Sequence, residues 1–386
     1  MPQYNTLKFS ANRQDFFVTL NKRVNEYFKA NNISRHANTE MKIKTIFMFM
    51  LYFVPFALIL SGAFTNLGVL FLLCVVMGFG IGGIGLSVMH DANHGAYSNK
   101  PWLNNLLGYS LNLIGASAFN WKLQHNVLHH TYTNIHEADE DISPRGVLRM
   151  HPDSAWKGIH KFQHIYAWFL YGLMTLVWVF VKDYMRLINY HNIGLTKKQK
   201  ANIAVEWAVL IGTKLIYFAY IFVLPSIMLP FLSWWHILIG FFTMHYLAGF
   251  ILAIIFQPAH VIEGTEYPLP NDEGQLENNW AIHQMLTTTN FANNAKAFSW
   301  YVGGLNYQVE HHLFPNICHV HYRNIAPILK TTAEEFGVPY KSEPTFISAL
   351  IGHAKLLKFL GVKPAGHLAA SEATSSTTGD VKVQLS

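Results

Sequence analysis

Four long apolar runs organise the chain. Residues 46–64 and 67–89 are separated only by Thr65 and Asn66, and residues 203–224 and 235–256 are joined by a short Pro-containing turn. The run 67–89 holds no charged residue, and as a helix it would extend roughly 34 Å, enough to cross a hydrocarbon core. The pattern predicts four membrane-spanning helices in two hairpins. Two further runs, 102–119 and 165–181, are ambiguous. The first is punctuated by Asn104, Asn105, Ser110, Asn112 and Ser117, and the second has about the minimum length to span. Before the first run, Phe17, Leu20, Val24 and Phe28 recur at helical spacing. Residues 13–30 therefore read as an amphipathic helix, expected to lie on the membrane surface.

Charge decides the ambiguous runs. With four spans, the first 44 residues carry eight Lys or Arg, the stretch 90–202 carries eleven, and the chain after Phe256 carries eight. That puts 27 of the 28 basic residues on one face, which the positive-inside rule makes cytoplasmic, together with both termini. The remaining one, Lys214, lies inside a span with no evident partner, and His245 is a second polar group within a span. A fifth span would scatter the charges, so 102–119 and 165–181 are read as interfacial or re-entrant helices. The expected fold is an all-α integral membrane protein. Residues 1–45 form a cytoplasmic N-terminal segment. Residues 46–365 form the main domain, with a helical cytoplasmic cap made of 90–202 and 257–365, and 366–386 form a disordered tail. The polar start of the chain does not resemble a secretory signal.

Composition agrees with a bilayer setting. The chain is 51% hydrophobic and only 13% charged, against about 25% charged in soluble domains. A formal charge of +6 alongside long apolar runs suggests anionic lipid headgroups rather than nucleic acid. Cys74 and Cys318 are the only cysteines. They cannot supply the four thiolates of an iron–sulfur cluster and are not a CxxC pair.

The 21 histidines among 386 residues require a reason, because neutral imidazole is the commonest metal ligand. Three clusters stand out: His90-Asp91-Ala92-Asn93-His94, His125-Asn126-Val127-Leu128-His129-His130, and Gln308-Val309-Glu310-His311-His312. On a helix, i and i+4 share a face, so His90 with His94, and His125 with His129, could each grip one metal. His130 and the His311–His312 doublet could reach a neighbouring ion, since successive side chains diverge by about 100°. Seven imidazoles exceed one mononuclear site and suit two metals with positions open for oxygen. His260, after Gln257-Pro258-Ala259 at the end of the fourth span, is an eighth candidate. His283, His319 and His321 are weaker ones. Gln308, Asp91, Asp139, Asp141 and Glu310 are candidates for outer partners that fix each ring's tautomer. His36, His136, His151, His160, His164, His191, His236, His353 and His367 are expected to be solvated or capping. Gly78-Phe79-Gly80-Ile81-Gly82-Gly83 matches a dinucleotide fingerprint, but it sits inside an uncharged span. It reads instead as a small-residue packing face.

The three clusters, with the flanking Leu305-Asn306-Tyr307 and Leu313-Phe314-Pro315, resemble the membrane fatty-acid desaturases over roughly residues 40–345. The glutamine opening the third cluster is similar to the front-end branch, which commonly acts between an existing double bond and the carboxyl end. The resemblance implies two iron ions, O2 as co-substrate, an external electron donor, and an acyl chain carried as acyl-CoA or in a phospholipid. By position, His90, His94, His125, His129, His130, His311 and His312 match the family's box histidines, and His260 looks like the extra histidine after the fourth span. Many front-end relatives carry a fused haem domain marked by His-Pro-Gly-Gly. Here His151-Pro152 is followed by Asp153, so electrons are expected from a separate ferredoxin- or cytochrome-type carrier and its reductase. Apolar walls near the clusters would hold the acyl chain. Two rival readings are a di-iron hydroxylase and a metal transporter. Transporters place their ligands near the bilayer midplane, whereas these clusters lie beyond the span ends.

Overall fold

The computed structural model describes residues 7–142 and 146–364; the expected tail, 366–386, lies outside them. The fold is almost wholly helical. Four helices are long and apolar enough to cross a membrane: Thr39–Leu60, Leu67–Asn93, Ile203–Met228 and Trp234–His260. Each starts where a side chain satisfies the free N–H groups of the first turn. Asn38 accepts from the Met41 N–H at 3.0 Å, Asn66 from Gly68 at 2.9 Å, and Asn202 from Ala204 at 3.0 Å. The fourth helix opens with a cap in which His236 Nδ1 accepts from the Ser233 N–H at 3.1 Å. The first helix thus begins seven residues before its apolar run.

The glycine-rich stretch in the second helix is a packing face on two sides. A Cβ at Gly78 would lie 2.9 Å from the Met244 carbonyl oxygen of the fourth helix. One at Gly80 would lie 2.7 Å from the Tyr52 nitrogen of the first. Both ambiguous runs are broken. Residues 102–119 fall into short helices, Pro101–Gly108 and Ser110–Leu113, ended by a left-handed turn at Gly115. Residues 165–181 belong to a helix pair, Gly158–Gly172 and Met174–Asn192, bent by 61°.

The N-terminal helix, Gln14–Ala30, corrects one expectation. Its apolar stripe is Phe16, Leu20, Val24 and Phe28, all buried. The stripe packs on Ile325, Leu329 and Ala333 of helix Tyr322–Glu335 and on Ile282 and Met285 of helix Trp280–Thr287. Protein rather than lipid covers this face, because the i, i+4 ridge starts at Phe16. Phe17 instead stands edge-on to Trp280, with ring centroids 5.6 Å apart. Arg23 ties the same helix to Glu335 at 2.7 Å. Two small parallel pairings are also present, Lys8–Phe9 with Gln275–Leu276 and Asn290–Phe291 with Ser342–Glu343.

Three features bring the histidine clusters together at one end of the apolar helices. A π-helical turn, Ile84–Val88, leads into His90. A longer one, Lys122–His129, carries most of the second cluster. The short helix Gln308–Leu313 presents the third. Such π segments often occur at functional sites.

Candidate metal centre

The eight candidate histidines come together in adjoining groups. Ligand-capable atoms of His90, His94, His125 and His311 lie within 4.8 Å of one another, as do those of His129, His260 and His312. His130 joins His311 and His312 in a third such group. All eight rings are buried except that of His94, which is half-buried. The HxxxH spacing predicts that His125 and His129 share one ion. They do meet, with Asp141, in a further group within 4.8 Å, while each also belongs to one of the first two groups; the segment winds as a π-helix with i→i+5 hydrogen bonds. His125 and His130, five apart, have ring centroids 4.8 Å from each other.

Outer hydrogen bonds fix several of these rings. His125 Nδ1 donates to Asp141 and His129 Nδ1 donates to Asp139, each at 2.9 Å. His312 Nδ1 donates to Gln284 Oε1 at 2.7 Å, and His260 Nδ1 faces the Thr287 carbonyl at 3.4 Å. In all four cases the other nitrogen, Nε2, is buried without a partner. His94 Nε2, His90 Nδ1 and His130 Nδ1 are buried and unpartnered as well, as is Gln308 Oε1. Unsatisfied buried polar atoms are rare and costly, so seven imidazole nitrogens left open within adjoining histidine groups need an occupant. A neutral imidazole lone pair suits a transition-metal ion such as iron. The residues therefore fit the metal that the family resemblance implies.

Electrostatics keep most rings neutral, as ligation requires. Burial pulls His94, His130, His311 and His312 well below the usual histidine range, and repulsion from neighbouring rings adds to it. Burial likewise lowers His125, to about 3. At His129 burial also pulls down, but Asp139 outweighs it and the net shift is upward. For Asp141 burial raises the carboxyl, yet the bonds to His125 and the field of His129 hold it below the ordinary range.

The outer candidates divide. Asp141 and Asp139 touch the rings proposed for them. Asp91 bonds mainly to His319, at 2.8 Å, and lies 3.8 Å from His90 Nδ1. Glu310 does not support a ligand ring: it accepts from Tyr340 at 2.7 Å and Asn290 at 2.8 Å. It leaves its short helix about 100° from His311, and burial raises it to about 7. Of the weaker histidines, His283 bonds the Thr133 carbonyl at 2.7 Å and His321 the His36 carbonyl at 3.0 Å. His319 accepts from Lys44. His160 and His236 cap helices as expected, but His151 and His353 are buried rather than solvated. Sequence reading missed Gln284 and Tyr322, whose hydroxyl lies 3.2 Å from His311 Nδ1; nothing in the sequence near either residue marks it.

An apolar cavity opens onto this cluster. His90, His125, His311 and Gln308 line it together with Ile81, Leu111, Ile114 and Thr175. His245 also lines the cavity, bonded to the Tyr217 hydroxyl and to Thr175 Oγ1.

Comparison with known proteins agrees with the geometry. Residues 65–344 match the family described as Fatty acid desaturase. The chain is 39% identical over 362 residues to an sn-1 linoleoyl-lipid 6-desaturase of Synechocystis sp., covering 92% of this chain and 98% of that protein. It is 38% identical over 352 residues to the sn-1 linoleoyl-lipid 6-desaturase of Arthrospira platensis, covering 90% and 93%. It is 37% identical over 360 residues to an acyl-lipid (8-3)-desaturase of Physcomitrium patens, covering 92% and 74%.

Proposed function

The chain belongs to the fatty acid desaturase family, and on that premise we propose that it inserts a double bond into acyl chains carried by membrane lipids, at two iron ions held by His90, His94, His125, His129, His130, His260, His311 and His312. The protein is a fatty-acid desaturase, an oxidoreductase embedded in the membrane by several passes. The observation that carries the proposal is the set of seven buried, unpartnered imidazole nitrogens on histidines that gather in adjoining groups, two of which, His90 and His125, line an apolar cavity.

Taking hydrogen from an unactivated methylene needs a strong oxidant, and iron with O2 would supply it. The side chains supply position. The apolar walls hold an acyl chain extended, exclude water, and choose by register which carbons face His90, His125 and His311. Asp139, Asp141 and Gln284 set the tautomer of the rings they touch. Gln308, its amide oxygen free beside the cavity, is placed to orient a bound water rather than to ligate. Two electrons come from a separate carrier and its reductase; His151, the only histidine followed by proline, is buried against the Asn134 carbonyl. The relatives' linoleoyl-lipid and acyl-lipid activities make an esterified, already unsaturated chain the first substrate to test.

We further propose two hairpins in the bilayer, with both termini, the cap and the histidine groups on the cytoplasmic side. The support is the charge distribution. Iron analysis together with lipid profiling tests the core of the reading. Purified protein in linoleoyl-lipid vesicles should carry two irons and form product only when carrier, reductase and NADPH are all added. Iron-free protein with full activity, or turnover on NADPH alone, would refute it.

A further inference from the structure

The cavity at the histidine groups has a side branch. A second cleft is lined by Val147, Leu170, Val177, Val181 and Met185, and it shares Asp141, Met174, Lys182 and Gln257 with the first cavity. These four residues form a neck between the two spaces. Val147, Val177, Val181 and Met185 are each about half exposed, and Phe169, Phe180 and Ile188 on the same bent helix pair are exposed too. On a membrane protein these exposed apolar residues suit a face turned to lipid.

The neck is polar, and two of its polar groups are uncommitted. Asp141 is occupied by His125 and Gln124, and Arg186 at the cleft wall is paired with Glu140. Among the described residues, Lys182 makes no hydrogen bond or ion pair. Its ammonium only overlies the Trp178 ring, 4.8 Å from the centroid. Gln257 is more than nine-tenths buried, and its amide oxygen has no partner. A free ammonium where an apolar cleft meets a reaction cavity suits a molecule with an apolar chain and one hydrogen-bond-accepting joint.

We propose that the cleft is a lateral entrance through which the acyl chain of a bilayer glycerolipid reaches the histidine groups, the ester carbonyl oxygen at its head accepting a hydrogen bond from Lys182, with Gln257 beside it. The inference rests on the function proposed above and selects the carrier. Coenzyme A brings several phosphates and a nucleotide, which would need several free cations and a wet surface. Among the described residues, the cleft offers one cation without a hydrogen bond or ion pair, between apolar walls. Lys182 and His125 line the same cavity, so an ester held at the neck keeps the reacting carbons near the carboxyl end of the chain.

The test uses the full-length protein in vesicles of dilinoleoyl phosphatidylcholine diluted into diphytanoyl phosphatidylcholine, with carrier and reductase, and linoleoyl-CoA in parallel. A phosphatidylcholine carrying a diazirine near its ester is crosslinked and mapped by mass spectrometry. Wild-type protein should convert the lipid and crosslink within residues 147–186. Lys182→Ala should cut the crosslink yield and raise the apparent KM for lipid by about tenfold, the loss expected for one charge-assisted hydrogen bond. kcat should stay within about twofold, because a contact to the ester acts on binding rather than on the chemical step. Lys182→Arg should recover most of the affinity. Lys182→Gln, which keeps much of the stem, covers the case in which alanine unfolds the protein. Unchanged KM and crosslinking in Lys182→Ala and Lys182→Gln would overturn the proposal, as would preferred turnover of linoleoyl-CoA. Lys182-dependent crosslinking without desaturation would support the entrance and refute the function instead.

Discussion

The Lys214 ammonium lies 2.8 Å from the Asp183 carboxylate, both buried, joining the third apolar helix to the bent pair beside it. The same nitrogen donates to the Gly115 carbonyl at 2.6 Å and the Val179 carbonyl at 3.0 Å. The Asp183 backbone carbonyl in turn accepts from the Asn120 amide at 2.7 Å. One lysine thus ties three chain segments together next to a third π-helical turn, Trp178–Lys182.

Removing that cation should be expensive. Lys214→Met leaves the Asp183 charge buried and unpaired, for which about 3–5 kcal/mol of destabilisation is expected. Asp183→Asn should cost less, because Lys214 keeps its carbonyl acceptors and the amide oxygen. The double variant should regain part of the loss of Lys214→Met. Thermal unfolding in detergent reads all three, and an unchanged Tm in Lys214→Met would show that the pin contributes nothing to stability.

A second set of variants separates the acids that orient ligand rings from the one that does not. Asp139→Asn and Asp141→Asn disturb the bonds that hold His129 and His125. Each should weaken iron retention by about 10–100-fold, the usual cost of losing an outer partner. Glu310→Gln should leave retention near the wild-type value, because Glu310 faces Tyr340 and Asn290. Iron remaining after timed exposure to a chelator is the measurement. Equal loss in all three would mean that Glu310 supports the site after all.

What the sequence made legible follows from where its information is local. Apolar runs locate the spans and three short motifs locate seven of the eight candidate ligands, because each motif sits on one helix end. Caps shift boundaries that hydropathy alone places late: Asn38 starts the first helix ahead of Ile46. That His125 also joins His90, His94 and His311 while His129 joins His260 and His312 was not readable, since π winding leaves no mark in an HxxxHH spacing. Gln284, Tyr322 and the partner of Lys214 come from segments distant in sequence, so only the fold brings them in. Phe16 and Phe17 show the same limit on a smaller scale: both fit an amphipathic pattern, and packing against Tyr322–Glu335 selects Phe16.

Topology makes a third prediction. Single cysteines replacing Asn66 and Ser233, in the two short turns, should react with an impermeant maleimide only from the non-cytoplasmic side. Background should be low, because Cys318 is buried and Cys74 is half-buried. Labelling of either turn only from the cytoplasm would invert the proposed orientation and remove the reason for placing the electron carrier there.

The third histidine cluster yields the sharpest prediction. His312 Nδ1 donates to Gln284 Oε1, so its Nε2 lone pair is free toward His129 and His260. His311 lies among His90, His94 and His125, with its Nε2 2.9 Å from that of His130. The two adjacent rings therefore serve neighbouring groups. His311→Ala and His312→Ala should each lose iron and reduce activity by more than the roughly 100-fold that outer partners command. Gln308 shares the His311 face of the helix, three residues earlier, but a neutral amide oxygen donates less to iron than imidazole does. Gln308→Ala should retain most of the iron and still lower turnover, because a water held by the amide would be lost. Gln308→His places a ring where the amide oxygen is now unpartnered; it should hold iron at least as tightly as wild type while narrowing the open end of the cavity. Iron per protein and product yield, measured on all four variants, separate these roles. Two irons and full activity in His311→Ala and His312→Ala would remove the third cluster from the metal site, and the di-iron reading with it.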